Sequence, residues 1–157
     1  MKLLIALDNN TGARHIAEAG YKLAEALHAH TVLLHVTSNA TYYASPNYSP
    51  ILGYNNFNNA EAVQTDTGEK LKTAAEDYLD NVKWNLGDKT IETVVKEGDY
   101  AESILETAKE IKADMIVMGT HSRKGLDKVL LGSVAEKVLR SSTIPLFIIP
   151  VKTADEE

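Results

Sequence analysis

The chain contains no cysteine, which removes disulfides, thiolate zinc sites and thiol nucleophiles from consideration. That fits a reducing compartment. Proline is scarce too, four in 157 residues. Basic residues are in the minority: 16 Lys plus Arg against 22 Asp plus Glu leave a net charge of −6. Such a chain is a poor match for nucleic acid, whose binding needs many neutralised phosphates. No run approaches the roughly eighteen apolar residues of a membrane-spanning helix. The apolar start of "MKLLIALDNN" is too short for a secretory core. The expectation is therefore cytoplasmic, with neither nucleic acid nor membrane as partner. Also missing are Gly-Lys-Ser/Thr, Gly-x-Gly-x-x-Gly and His-Glu-x-x-His. Their absence excludes a Walker A loop, a dinucleotide fingerprint and a zinc-protease helix. There is no internal repeat.

What is present reads as one ordinary globular domain, 44% hydrophobic and 24% charged. "KLLIAL" (2–7) is a near-continuous apolar run, the pattern of a strand buried on both faces. "TVLLHV" (31–36), "TIETVVKE" (90–97), "DMIVM" (114–118) and "PLFIIP" (145–150) are four more strands. Between them apolar residues recur at helical spacing. The first set is Ile16, Ala17, Gly20, Leu23, Ala24 and Leu27; the second is Leu71, Ala75, Tyr78, Leu79 and Val82, closing near Gly87. Ala101, Ile104, Leu105, Ala108 and Ile111 mark a third helix, and Val134, Ala135, Val138 and Leu139 a fourth. The cluster Asp8-Asn9-Asn10-Thr11 is rich in N-cap residues, Asp99 is a cap for the third helix, and Trp84 is expected to pack at a helix end. Alternation of this kind predicts an α/β fold, a single-domain open parallel five-stranded sheet with helices on both faces. The domain is expected over 1–151, with a long variable loop at about 38–65 and a flexible tail at 152–157. The loop carries two prolines, Tyr42, Tyr43, Tyr48, Tyr54 and Phe57. A lid, a partner surface and disorder all remain open for it.

Open parallel sheets bind ligands beyond the carboxyl ends of their strands, where the winding reverses. With the first strand beside the fourth, that crevice is flanked by Asp8 and Gly119. From Val117 the chain runs "VMGTHSRKGLDKVLLGSVAEKV" (117–138), with Gly119 at the strand end, Gly125 in the loop and Gly132-Ser133 at a helix start. Glycines let a backbone approach a ligand, and the first N–H groups of a helix attract anions. The dipole alone is worth about 0.3–1 kcal/mol, so backbone hydrogen bonds must supply most of the hold. Any strand–loop–helix unit also needs a turn glycine and an N-cap serine, and spacing alone leaves both readings open. His35 and His121 stand near no recognisable base, nucleophile or metal-ligand spacing, so a scaffold or loop role competes with proton transfer. Arg123 and Lys124 either screen a phosphate or keep the loop soluble.

"VMGTHSRKGLDKVLLGSVAEKVLRSSTIPLFIIP", with "LLIALD", "LLHV" and "EGDYAESILETAKEIKADMIVMG", resembles the universal stress protein (UspA-like) family over nearly the whole chain. The resemblance implies an adenine nucleotide alpha hydrolase-like, Rossmann-like sheet of order 3-2-1-4-5. ATP-binding members of that family carry Gly-x-x-Gly, nine residues, then Gly-Ser or Gly-Thr. Gly119 and Gly132-Ser133 match, and residues 123–131 supply the nine; the second glycine is Ser122. By the same resemblance Asp8 sits beside the ribose and adenine edge, Val36 meets the adenine, and Ala6 and Leu7 are among the cofactor-binding residues. Met118 and Gly119 line the crevice, and Ser122, Gly132, Ser133 and Val134 face the phosphates. Without the resemblance, Asp8 reads as a helix cap and Val36 as a core residue. At Ser122 a left-handed backbone would cost about 1 kcal/mol or more, while the hydroxyl offers a donor. The implied ligand is ATP, with Mg2+, or else ADP or AMP. The implied assembly is a homodimer through strand 145–150, whose apolar edge needs covering. No residue stands out as a base for water, so at most slow ATP hydrolysis is expected. The alternatives are a dimeric interaction scaffold that binds no nucleotide, and a hydrolase of an adenylate or phosphorylated substrate.

Overall fold

Five apolar segments lie side by side as parallel strands: β1 (Lys2–Leu7), β2 (His30–Thr37), β3 (Glu92–Glu97), β4 (Met115–Gly119) and β5 (Leu146–Ile149). Their order in the sheet is β3-β2-β1-β4-β5, the order that the family resemblance implies. Among the described residues four helices join them: α1 (Ala13–Ala26), α2 (Ala60–Leu86), α3 (Tyr100–Glu110) and α4 (Ser133–Ser141). The computed structural model describes residues 1–9, 12–38, 60–120 and 131–151. The expected tail at 152–157 and the aromatic stretch of the variable loop lie outside the described residues.

Alternation along each strand sends side chains to two cores. Leu4, Leu34, Val36, Ile116 and Met118 face Ile104 and Ala108 of α3 and Ala135 and Val138 of α4. Leu3, Ile5, Leu33 and Val117 face Ile16 and Ala17 of α1 and Leu79 of α2. Burying a Leu or Ile side chain contributes about 1.5–3 kcal/mol. The three central strands, covered on both faces, are the most strongly held.

Three local expectations met different outcomes. Asp99 does cap α3, accepting from the Glu102 N–H at 3.0 Å with an extended backbone (φ −68°, ψ 132°). The Asp8–Thr11 cluster does not provide the N-cap of α1, which is Gly12. A Cβ on Gly12 would run into Val151, so close packing against the segment after β5 selects the residue there. Trp84 does not pack into the core: it is 80% exposed, on the side of α2 away from its buried Leu79. Helix α2 also begins at Ala60, earlier than the apolar spacing from Leu71 onward indicates. Its opening Ala60-Glu61-Ala62-Val63-Gln64 is mostly good helix formers, and the sequence up to Leu71 carries no apolar stripe.

Candidate functional site

The ends of three strands and the starts of two helices meet around a cavity of about 350 Å³. It lies between β1 and β4, where the winding of the sheet reverses. Ala6, Leu7 and Asp8 of the β1 end, Val36 of β2, and Met118 and Gly119 of β4 line it, with Gly132, Ser133 and Val134 at the start of α4. Thus the nine described residues that the resemblance assigned to nucleotide binding all line this one cavity. Ser122 lies outside the described residues, as do His121, Arg123, Lys124 and Gly125.

Each position has a local physical reason. Gly119 is a packing requirement, because a Cβ there would meet Ile16 of α1 and Val151. Gly132 has φ 82° and ψ 154°, a backbone conformation essentially reserved for glycine. It lets the chain turn abruptly into α4. The Glu136 N–H bonds the Gly132 carbonyl at 3.0 Å. The N–H groups before it have no partner within the helix and lie at the cavity wall. Leu34, Val36, Ile104 and Met118 make an apolar wall. Asp8 is the only carboxylate among the described lining residues, and no Lys or Arg is among them. The cavity therefore has an apolar slot, one acidic point and one helix N-terminus.

Two side chains hold the end of β1. His35 is buried, and its Nδ1–H donates to the Leu7 carbonyl at 2.8 Å. The Tyr78 hydroxyl donates to the next carbonyl, that of Asp8, also at 2.8 Å. The two rings meet edge to face, their centroids 5.3 Å apart. Burial, and secondly the negative charge of Asp8, push the Tyr78 phenol above its ordinary pKa. His35 is thus the hydrogen-bonded scaffold that the sequence offered as one reading of it.

The two helices that start at the cavity are tied together. Lys137 of α4 reaches Asp99 at 3.1 Å and Glu102 at 3.5 Å. The Glu102 backbone N–H, and then Lys137, hold the Asp99 carboxyl below the usual carboxylate range. Tyr100, which also lines the cavity, escaped the sequence reading. Its signal was its place directly after the Asp99 cap, which puts it at the same end of the sheet as Asp8. Among the described residues no cluster of three His, Cys, Asp or Glu forms a metal site, and no helix is long and apolar enough to cross a membrane.

The family model of the universal stress proteins matches residues 1–150. The chain belongs to the universal stress protein family. Universal stress protein MJ0531 of Methanocaldococcus jannaschii is 29% identical over 153 residues, covering 94% of this chain and 81% of that one. The solved structure of protein MJ0577 from the same organism superposes with a TM-score of 0.71 at 23% identity, covering 98% of both chains. A universal stress protein solved in complex with cAMP gives a TM-score of 0.60 at 20% identity, covering 96% of both. At these identities the structural likenesses establish the fold.

Proposed function

We propose that this universal stress protein binds an adenine nucleotide in the β1–β4 cavity and acts as a regulator through ligand-dependent conformation and dimerisation. One observation carries the reading: a single cavity joins an apolar slot at Val36 and Met118, a carboxylate at Asp8 and the helix start at Gly132-Ser133. The slot suits a flat base, the carboxylate suits donor hydroxyls of a sugar, and the helix start suits a phosphate. A volume of about 350 Å³ lies within the range of small-molecule sites, about 300–1,000 Å³. That a protein of the same fold was solved with cAMP supports an adenine ligand over other bases. ATP, with Mg2+, is the favoured ligand, followed by ADP and AMP. The absence of cysteine supports a cytoplasmic setting.

The homodimer belongs to the same reading. β5 is an edge strand of the sheet, and its Phe147 is 40% exposed. Pro145 and Pro150 limit its length without covering it.

The direct test is to denature freshly purified protein and identify the released nucleotide by ion-exchange chromatography and mass spectrometry. Stripped protein is then offered ATP, GTP and CTP in competition. Release or selective uptake of an adenine nucleotide is the expected result. Failure of both would leave the dimeric interaction scaffold as the better account.

A further inference from the structure

We propose that Tyr78 and His35 are positioning residues that set the cavity's preference for an intact ribose, by clamping two consecutive carbonyls at the end of β1. The inference rests on the nucleotide reading above.

The clamp comes from two different elements. His35 of β2 donates to the Leu7 carbonyl and Tyr78 of α2 donates to the Asp8 carbonyl, each at 2.8 Å. Edge-to-face contact between the rings locks one against the other. A strand end has run out of ladder partners, so its carbonyls ordinarily turn to water. Here two side chains take that place. The backbone they fix is the one that carries the Asp8 side chain.

Asp8 is the only carboxylate among the described lining residues. It repels phosphate and accepts from hydroxyls, so the sugar is its natural partner. Hydrogen-bond discrimination of that kind depends on the placement of the acceptor. It degrades when the acceptor moves by a fraction of an ångström. The clamp therefore acts on selectivity and not merely on fold stability.

The experiment measures Kd for ATP, 2′-deoxy-ATP and 3′-deoxy-ATP by competition against radiolabelled ATP. It compares the natural chain with Tyr78→Phe, His35→Phe and, as a control, Tyr21→Phe. Tyr21 donates to the Asp88 carboxylate at 3.0 Å at the other end of the sheet, a tyrosine hydroxyl bond with no link to Asp8. Melting temperatures are recorded in parallel. The natural chain should prefer ATP over both deoxy forms. Tyr78→Phe should shrink that preference by about two- to tenfold, the span of one net hydrogen bond. His35→Phe, which keeps a ring but loses the donor, should act in the same direction. Tyr21→Phe should lower the melting temperature and leave the preference intact. A lowered melting temperature with an unchanged preference in both clamp variants would overturn the proposal. So would a natural chain that binds all three nucleotides equally. A natural chain that binds none of them overturns the nucleotide reading, and the clamp with it.

Discussion

Gly132 concentrates the site's demands on a single residue. With φ 82° and ψ 154° it stands where a Cβ is strained, and it presents the first turn of α4 to the cavity. Gly132→Ala should therefore cost about 1–3 kcal/mol of stability, read as a lower denaturation midpoint, and should weaken nucleotide binding further. A variant that binds normally would mean that the start of α4 is not the phosphate contact. Residues of this kind are legible in a sequence because glycine and the short polar side chains punctuate it. Asp8, Gly119 and Gly132-Ser133 all announce themselves in that way. Tyr78 does not. It is 70 residues from Asp8 in the chain, and its spacing fits the apolar stripe of α2 as well as any core residue would. Only the folded register of β1 against β2 brings His35 opposite Leu7.

Helices were legible by their periodicity and less so by their ends. The Asp99 cap of α3 follows the ordinary N-cap pattern, whereas the N-cap of α1 is Gly12, which offers no side-chain cap bond and packs against Val151. Asp99→Ala should cost about 0.5–2 kcal/mol, the usual range for a lost cap. The pH dependence has a definite sign. The folded carboxyl is held below its ordinary pKa, so its contribution is present at neutral pH and is lost as pH falls through the depressed value. Solvent screens this half-exposed group, and the effect is modest. Thermal unfolding of the two proteins should differ at pH 7, and the gap should narrow below about pH 4. A gap that is constant with pH would show that the charge of Asp99 plays no part.

At the scale of the molecule, alternation of strands and helices made the parallel α/β class legible, and the family resemblance supplied the strand order. Assembly was less legible: β5 is an edge strand with Phe147 exposed, and a strand edge does not name a partner. If two copies pair there, light scattering after gel filtration should give a dimer mass. Phe147→Lys should shift it to monomer, since charge on an edge strand opposes pairing. A dimer that survives Phe147→Lys unchanged would place the contact elsewhere. The central claim remains that the β1–β4 cavity holds an adenine nucleotide despite Ser122. Calorimetric titration of ATP with Mg2+ into stripped protein, beside the Ser122→Gly variant, tests it most directly. Micromolar binding by both proteins is the predicted result. Binding by the variant alone, or by neither, would contradict the claim.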